Sequence, residues 1–258
     1  MTRPVTSSER AAGTVRGDGW LTGPRPRDTA VSRLYCLPWA GAGAAVYRAW
    51  AEWLPADVEV VPVALPGRER RLREEPLRTV EEVAEALTPV LLEDADRPYA
   101  LFGHSMGALV AYETTLRMAA AGLPPHRLFV SGSRAPHRAL RYGGLSGLEP
   151  GAFLAAVRRF QPESGGALDD DELVELILPA LHADFAAAEN YRAPAGRQVP
   201  CPVTAFGGDR DPLVSAADVT AWHRHGGGAF TEHTVGGGHL FVVTAGRRVC
   251  ELLAEYLT

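Results

Sequence analysis

From Ser32 onward the chain alternates short, near-continuous apolar runs with longer stretches whose apolar residues recur at helical spacing. Strand-type runs lie at residues 33–37, 58–64, 99–103, 128–131, 203–206 and 230–235, the second rich in β-branched residues and ended by Pro66-Gly67. One helical pattern runs through Val46, Trp50 and Trp53. Another, over residues 79–92, carries Val80, Val83, Leu87, Val90 and Leu91 at helical spacing. Strands that are apolar throughout, rather than at every second position, need cover on both sides. Separated by helices, they predict an α/β chain with a mostly parallel central sheet and helices on both faces. With 258 residues, 46% of them hydrophobic and 22% charged, the chain has material for an ordinary globular core.

Two stretches depart from the alternation. Residues 146–196 offer helical patterns at 151–160, 170–181 and 182–191 but no strand-like run, which predicts an all-helical insertion serving as a lid. A packing extension with no moving part is the alternative. Residues 1–30 are punctuated by Gly17, Gly19, Gly23, Pro24 and Pro26 and are poor in hydrophobes. They read as a poorly ordered tail before a single domain over 31–258, with Trp20 and Leu21 as the residues able to dock on it. The tail lacks the apolar core of a signal peptide, and no run of about 18 apolar residues is present to cross a bilayer. A cytoplasmic location is expected.

Composition removes several chemistries. All 26 basic residues are Arg, so Schiff-base catalysis, pyridoxal phosphate anchoring and a P-loop lysine are excluded. A formal net charge of −5 gives no global field toward nucleic acid or an anionic membrane. Cys36, Cys201 and Cys250 are odd in number and form no C-x-x-C pair, so neither a disulfide framework nor a zinc site is indicated. No metal or cofactor is expected.

The sharpest local signal is Leu101-Phe102-Gly103-His104-Ser105-Met106-Gly107, a G-x-S-x-G pattern directly after a strand and directly before a helix over 108–118. Small residues at 103 and 107 permit a tight strand-to-helix turn that holds Ser105 out at a helix N-terminus, where the dipole favours developing negative charge. A serine hydroxyl needs a base, and the base needs an orienting carboxylate. Of eight histidines, His239 stands in Gly236-Gly237-Gly238-His239-Leu240, a loop after the last strand from which an imidazole can reach Ser105. His104, inside the turn, is expected to point away from the direction of attack. The acid is sought in Gly207-Gly208-Asp209-Arg210-Asp211-Pro212, at the carboxyl end of a strand, where ligands of open α/β sheets gather. Asp209 and Asp211 compete there; Pro212 constrains Asp211 away from helix and favours it. The backbone N–H of Met106 is one expected oxyanion donor, and that of Ala40, in the Gly/Ala-rich loop Leu37-Pro38-Trp39-Ala40-Gly41-Ala42-Gly43, is the other.

Taken in order, these residues resemble the α/β-hydrolase thioesterases of polyketide and nonribosomal peptide assembly lines, specifically the free-standing type II thioesterases. The resemblance covers about residues 32–257. It rests on the 37–43 loop, Leu65-Pro66-Gly67-Arg68-Glu69, the Ser105 motif, Leu178-Pro179-Ala180-Leu181-His182-Ala183-Asp184-Phe185, Gly208-Asp209-Arg210-Asp211-Pro212 and Gly238-His239-Leu240-Phe241. It implies an α/β-hydrolase fold with a helical lid insertion, with Ser105, Asp211 and His239 as catalytic residues and the Met106 and Ala40 N–H groups as oxyanion donors. Trp39 stands where many relatives have His or Tyr, and Ala42 where Gly is frequent; both narrow the expected entrance, for which Trp39 and Phe185 are candidate residues. The implied activity is hydrolysis of acyl groups from the phosphopantetheine arm of acyl or peptidyl carrier domains. No carrier domain fits in this length, so action in trans, clearing stalled or mis-primed chains, is expected. Arg68, Arg70, Arg71 and Arg73 form the densest basic run for docking an acidic carrier, with Arg158 and Arg159 as a second option. A general carboxylesterase or lipase with the same triad is the rival enzyme, and a silent binding protein on the same scaffold is the remote one.

Overall fold

The computed structural model describes residues 14–23, 29–140, 143–160 and 170–257. In chain order, β1 (Thr14–Arg16) and β2 (Leu21–Gly23) precede β3 (Ser32–Leu37), α1 (Trp50–Trp53), β4 (Val58–Pro62), α2 (Val80–Asp94), β5 (Tyr99–His104), α3 (Met106–Ala120) and β6 (Arg127–Ser131). Then come α4 (Pro150–Phe160), α5 (Asp171–Asn190), β7 (Val203–Gly208), α6 (Ala216–Thr220), β8 (Phe230–Val235), α7 (Phe241–Thr244) and α8 (Gly246–Leu257). Six strands pair in the order β4-β3-β5-β6-β7-β8, and every pairing is parallel. The chain runs from β3 outward to β4 and returns on the other side of β3 to lay down β5. That reversal opens a crevice above the carboxyl ends of β3 and β5.

The strand residues divide alternately between two cores. Tyr35, Leu37, Leu101 and Leu128 face α2 and α3, where Val83, Leu87, Leu109 and Tyr112 meet them. Leu34, Cys36, Phe102 and Phe129 face the opposite layer, built from Trp50 on α1 and Val249 and Leu253 on α8. This two-sided burial is why the strands read as continuously apolar. The start of α2 is fixed by a reciprocal capping box, in which Thr79 Oγ1 accepts from Glu82 N–H and Glu82 accepts from Thr79 N–H.

Two expectations are corrected. Residues 14–23 are not a loose tail. β1 and β2 pair antiparallel, Leu21 bridges to Val63, and Ala64 N–H donates to Trp20 O at 2.7 Å. The Arg71 guanidinium lies 4.2 Å from the centre of the Trp20 ring, and Arg16 pairs with Glu59 and Asp94. The remainder of the expected tail, residues 1–13 and 24–28, lies outside the described residues. The helical insertion between β6 and β7 is present, but the expected helices at 170–181 and 182–191 are one, α5. Its start is capped by Asp170, and nothing between Leu181 and His182 offers a stop signal. Phe153 and Val157 of α4 pack with Leu181 of α5 in a small core of their own.

Burial of Trp20 predicts that Trp20→Ala costs about 2–4 kcal/mol. Urea denaturation measures it; an unchanged midpoint contradicts the docking of residues 14–23.

Candidate functional site

Ser105 occupies the single residue between β5 and α3, with φ 55° and ψ −116°, a backbone conformation costly for any residue with a side chain. Two glycines make the turn possible. A Cβ on Gly103 would lie 2.0 Å from Gly107 O, and one on Gly107 would lie 2.3 Å from Leu37 O and 2.6 Å from Pro38 O. Ser105 N–H donates to Ser131 O at 2.8 Å, tying the turn to β6.

The expected base and acid follow β8 and β7. His239 Nε2 lies 3.0 Å from Ser105 Oγ, and His239 Nδ1 lies 2.8 Å from Asp211 Oδ2. The carboxylate accepts, so Nδ1 carries the proton and Nε2 is left bare toward the serine hydroxyl. The other oxygen, Asp211 Oδ1, accepts from Leu213 N–H at 2.8 Å and Val214 N–H at 3.1 Å, which fixes the carboxylate plane. Both side chains are buried, at 1% and 2% exposure, and three hydrogen bonds meet the carboxylate there. Of the two competing aspartates, Asp211 is the one that bonds the His239 ring. Asp209 faces the other way and accepts from Gly237 N–H at 2.7 Å, while its own N–H donates to Val235 O. It pins the glycine loop that carries His239.

His104 does point away from the nucleophile, as expected of it, but it does more than turn aside. Its Nε2–H donates to His239 O at 2.9 Å, so its bare Nδ1 accepts from Ser131 Oγ, also at 2.9 Å. Burial and the neighbouring His239 hold its pKa well below the ordinary histidine range, so the ring stays neutral. A Cβ on Gly132, at φ 54°, would lie 2.5 Å from the ring. The signal was available in the sequence: a polar side chain two positions after Phe102 on a buried strand face needs partners there. Of the other histidines, His137 and His225 bond each other, His233 bonds Tyr256, and His223 bonds Thr220 O.

Ser105, Met106, Ala40 and His239 line a cleft whose remaining wall includes Leu109, Phe185 and Val214. Neither the Met106 nor the Ala40 N–H donates to another group among the described residues. Arg134, also at the cleft, donates to Ala188 O and Tyr191 O and so caps the carboxyl end of α5; burial and Arg192 bring its pKa down to about 10. Of the two candidate entrance residues, Phe185 lines this cleft. Trp39 does not: it packs against Tyr47 and His104 on the other side of the sheet, because successive residues of an extended segment face opposite ways and Ala40 takes the cleft side. The basic run is corrected too. Arg68 is buried in an ion pair with Asp184, and Arg71 is buried between Glu74 and Trp20. Arg70 and Arg73 alone of the four are exposed.

Strand, strained serine, helix, and then a carboxylate and an imidazole later in the chain in that order, is the arrangement of the α/β-hydrolases, and this chain has their fold. Comparison with known proteins narrows the class. The Thioesterase domain family model matches residues 32–256. Thioesterase PikA5 of Streptomyces venezuelae is 37% identical over 245 residues, covering 92% of this chain and 85% of the relative. The structure of BorB, a type II thioesterase from the borrelidin biosynthetic cluster, superposes with a TM-score of 0.86 at 36% identity, over 95% of this chain and 100% of that one. YbtT, a type II thioesterase from the yersiniabactin pathway, does so with a TM-score of 0.78 at 30% identity, over 90% and 94%. The chain belongs to the thioesterase family, among its type II members, and is a hydrolase of thioester bonds.

The different bonding of the two aspartates yields a test. Asp211→Asn is expected to lower kcat about 10³- to 10⁴-fold on a short acyl-pantetheine thioester, because an amide permits the wrong imidazole tautomer. Asp209→Asn keeps an acceptor oxygen for Gly237 N–H, and a loss below about tenfold is expected. Equal losses would contradict the assignment.

Proposed function

We propose that Ser105, His239 and Asp211 hydrolyse acyl thioesters through an acyl-serine intermediate, on the phosphopantetheine arm of carrier domains belonging to other proteins. The observation that carries this reading is the unbroken line from Asp211 Oδ2 through the imidazole to Ser105 Oγ, beside an apolar cleft. His239 Nε2 takes the hydroxyl proton as Oγ bonds to the thioester carbon. Asp211 stabilises the imidazolium, and the oxyanion rests on the Met106 and Ala40 N–H groups. As the intermediate collapses the C–S bond breaks, and the imidazolium proton goes to the departing sulfur. Water then attacks the acyl-serine while His239 takes its proton. The second intermediate collapses, and that proton returns to Ser105 Oγ as the acid leaves. A thiolate is a good leaving group, so the first half needs less acid assistance than amide cleavage.

Support for carrier-bound substrates and an editing role comes from relatives such as BorB and YbtT, drawn from a biosynthetic cluster and a nonribosomal peptide/polyketide pathway. The insertion carrying α4 and α5 serves as the lid, with Phe185 on the acyl channel. Docking of an acidic carrier falls to Arg70 and Arg73, the exposed remainder of the basic run. No helix among the described residues is long and apolar enough to cross a membrane, and three buried thiols, Cys36, Cys201 and Cys250, fit a reducing cytoplasm.

Intact-mass analysis of an acylated carrier incubated with the enzyme tests the reading. Wild type is expected to remove the acyl mass, and Ser105→Ala to be slower by at least about 10⁴-fold. Wild-type rates in Ser105→Ala would refute the mechanism. A wide preference for matched oxygen esters would favour the carboxylesterase alternative.

A further inference from the structure

Two motifs singled out in the sequence, Leu65-Pro66-Gly67-Arg68-Glu69 and the α5 segment ending Ala183-Asp184-Phe185, contribute nothing to the triad. They meet on the backbone of the loop that carries Ala40. Asp184 Oδ2 accepts from Gly41 N–H at 2.8 Å. Arg68 grips both oxygens of the same carboxylate, at 2.5 and 2.9 Å, and its Nη1 also donates to Ala42 O at 3.2 Å. The adjacent Glu69 accepts from Ala44 N–H and Ala45 N–H, each at 3.0 Å, and holds φ 49° to do so. Gly41 holds φ 80°, a conformation that favours glycine, and packs toward Leu181 of α5, whose Cδ1 would lie 2.5 Å from a Cβ. From Gly41 to Ala45 the loop is therefore held by charged side chains at nearly every residue, while its start is pressed against Gly107.

Arg68 and Asp184 are 7% and 3% exposed. A buried ion pair is a poor way to obtain stability, since apolar residues of the same volume often serve as well or better. What apolar residues cannot do is accept the Gly41 N–H, which fixes the peptide that follows Ala40, and donate to Ala42 O, which fixes the peptide two further on. We propose that Asp184 and Arg68 are positioning residues of the oxyanion hole, fixing the loop so that the Ala40 N–H faces the reacting carbonyl. The proposal rests on the triad reading above. It gives α5 two tasks, because the helix that clamps the loop through Asp184 also presents Phe185 and Ala188 to the cleft. The wall that meets the acyl chain and the clamp that aims the donor are one element.

The experiment replaces the pair as a pair. Arg68→Met with Asp184→Leu removes both charges without stranding either, and a melting temperature near wild type is expected. With an acyl-pantetheine thioester, kcat is expected to fall roughly 10- to 100-fold while KM stays within about twofold. A trifluoromethyl ketone analogue, whose adduct with Ser105 bears an oxyanion, is expected to lose affinity by the same factor as kcat/KM. A merely structural role would lower the active fraction and leave that affinity unchanged. Asp184→Asn, which keeps volume and one acceptor oxygen, is the second variant and is expected to show the same coupled loss at smaller size. Wild-type kcat in either folded variant, or a kcat loss with unchanged inhibitor affinity, overturns the proposal. Failure of the triad reading would instead appear as an active Ser105→Ala, however the clamp variants behave.

Discussion

The close approach of the first turn of α3 to the backbone of Leu37 and Pro38 governs everything at the site. Only because residue 107 is glycine can the helix start so near that loop, and only because the helix starts there does Ser105 stand strained at its end. The same contact sets the separation between the Met106 N–H on one side and the Ala40 loop on the other. Neighbouring strands supply the rest: β6 receives the Ser105 N–H, β7 leads to Asp211, and β8 leads to His239. Parallel pairing across the sheet brings all their carboxyl ends to one edge, so residues more than a hundred positions apart in sequence meet without any long excursion of the chain.

Around this arrangement, carboxylates, some buried and some at the surface, serve to fix backbone. Asp211 takes two N–H groups besides the imidazole, Asp209 takes Gly237 N–H, Asp184 takes Gly41 N–H, and Glu189 takes Leu145 and Ser146 N–H at the base of the insertion. Each carboxylate sits where a loop must hold one course. The absence of lysine gains a physical meaning here. Arg68 grips Asp184 with two nitrogens while also reaching Ala42 O, and Arg134 reaches three carbonyls at once; an ammonium has neither the planar fork nor the span.

Much of this was legible in the sequence. Five of the six core strands end within two residues of the apolar runs that predict them, because strands covered on both faces carry an unbroken signal, and the sixth, β8, matches its run. The Ser105 turn is local, so its glycines and its serine are readable together. What escaped depends on partners distant in the chain. Trp20 and Leu21 read as able to dock, but the β1–β2 pairing around them was not legible, because it is held by Val63 and Arg71 far along the chain. Arg68 to Arg73 read as one basic patch, but burial alternates with exposure along the run and removes two of the four from the surface. Pro212 and the resemblance favour Asp211 over Asp209, but the role of Asp209 was not legible, because its partner Gly237 N–H lies 28 residues on.

The most direct measurement of the central claim is rapid quenching during turnover of an acylated carrier, followed by peptide mapping by mass spectrometry. The account predicts a transient acyl adduct on the peptide containing Ser105, assigned to that side chain and decaying as free acid appears. Acid released with no adduct at Ser105, or with the acyl group on another residue, would contradict it.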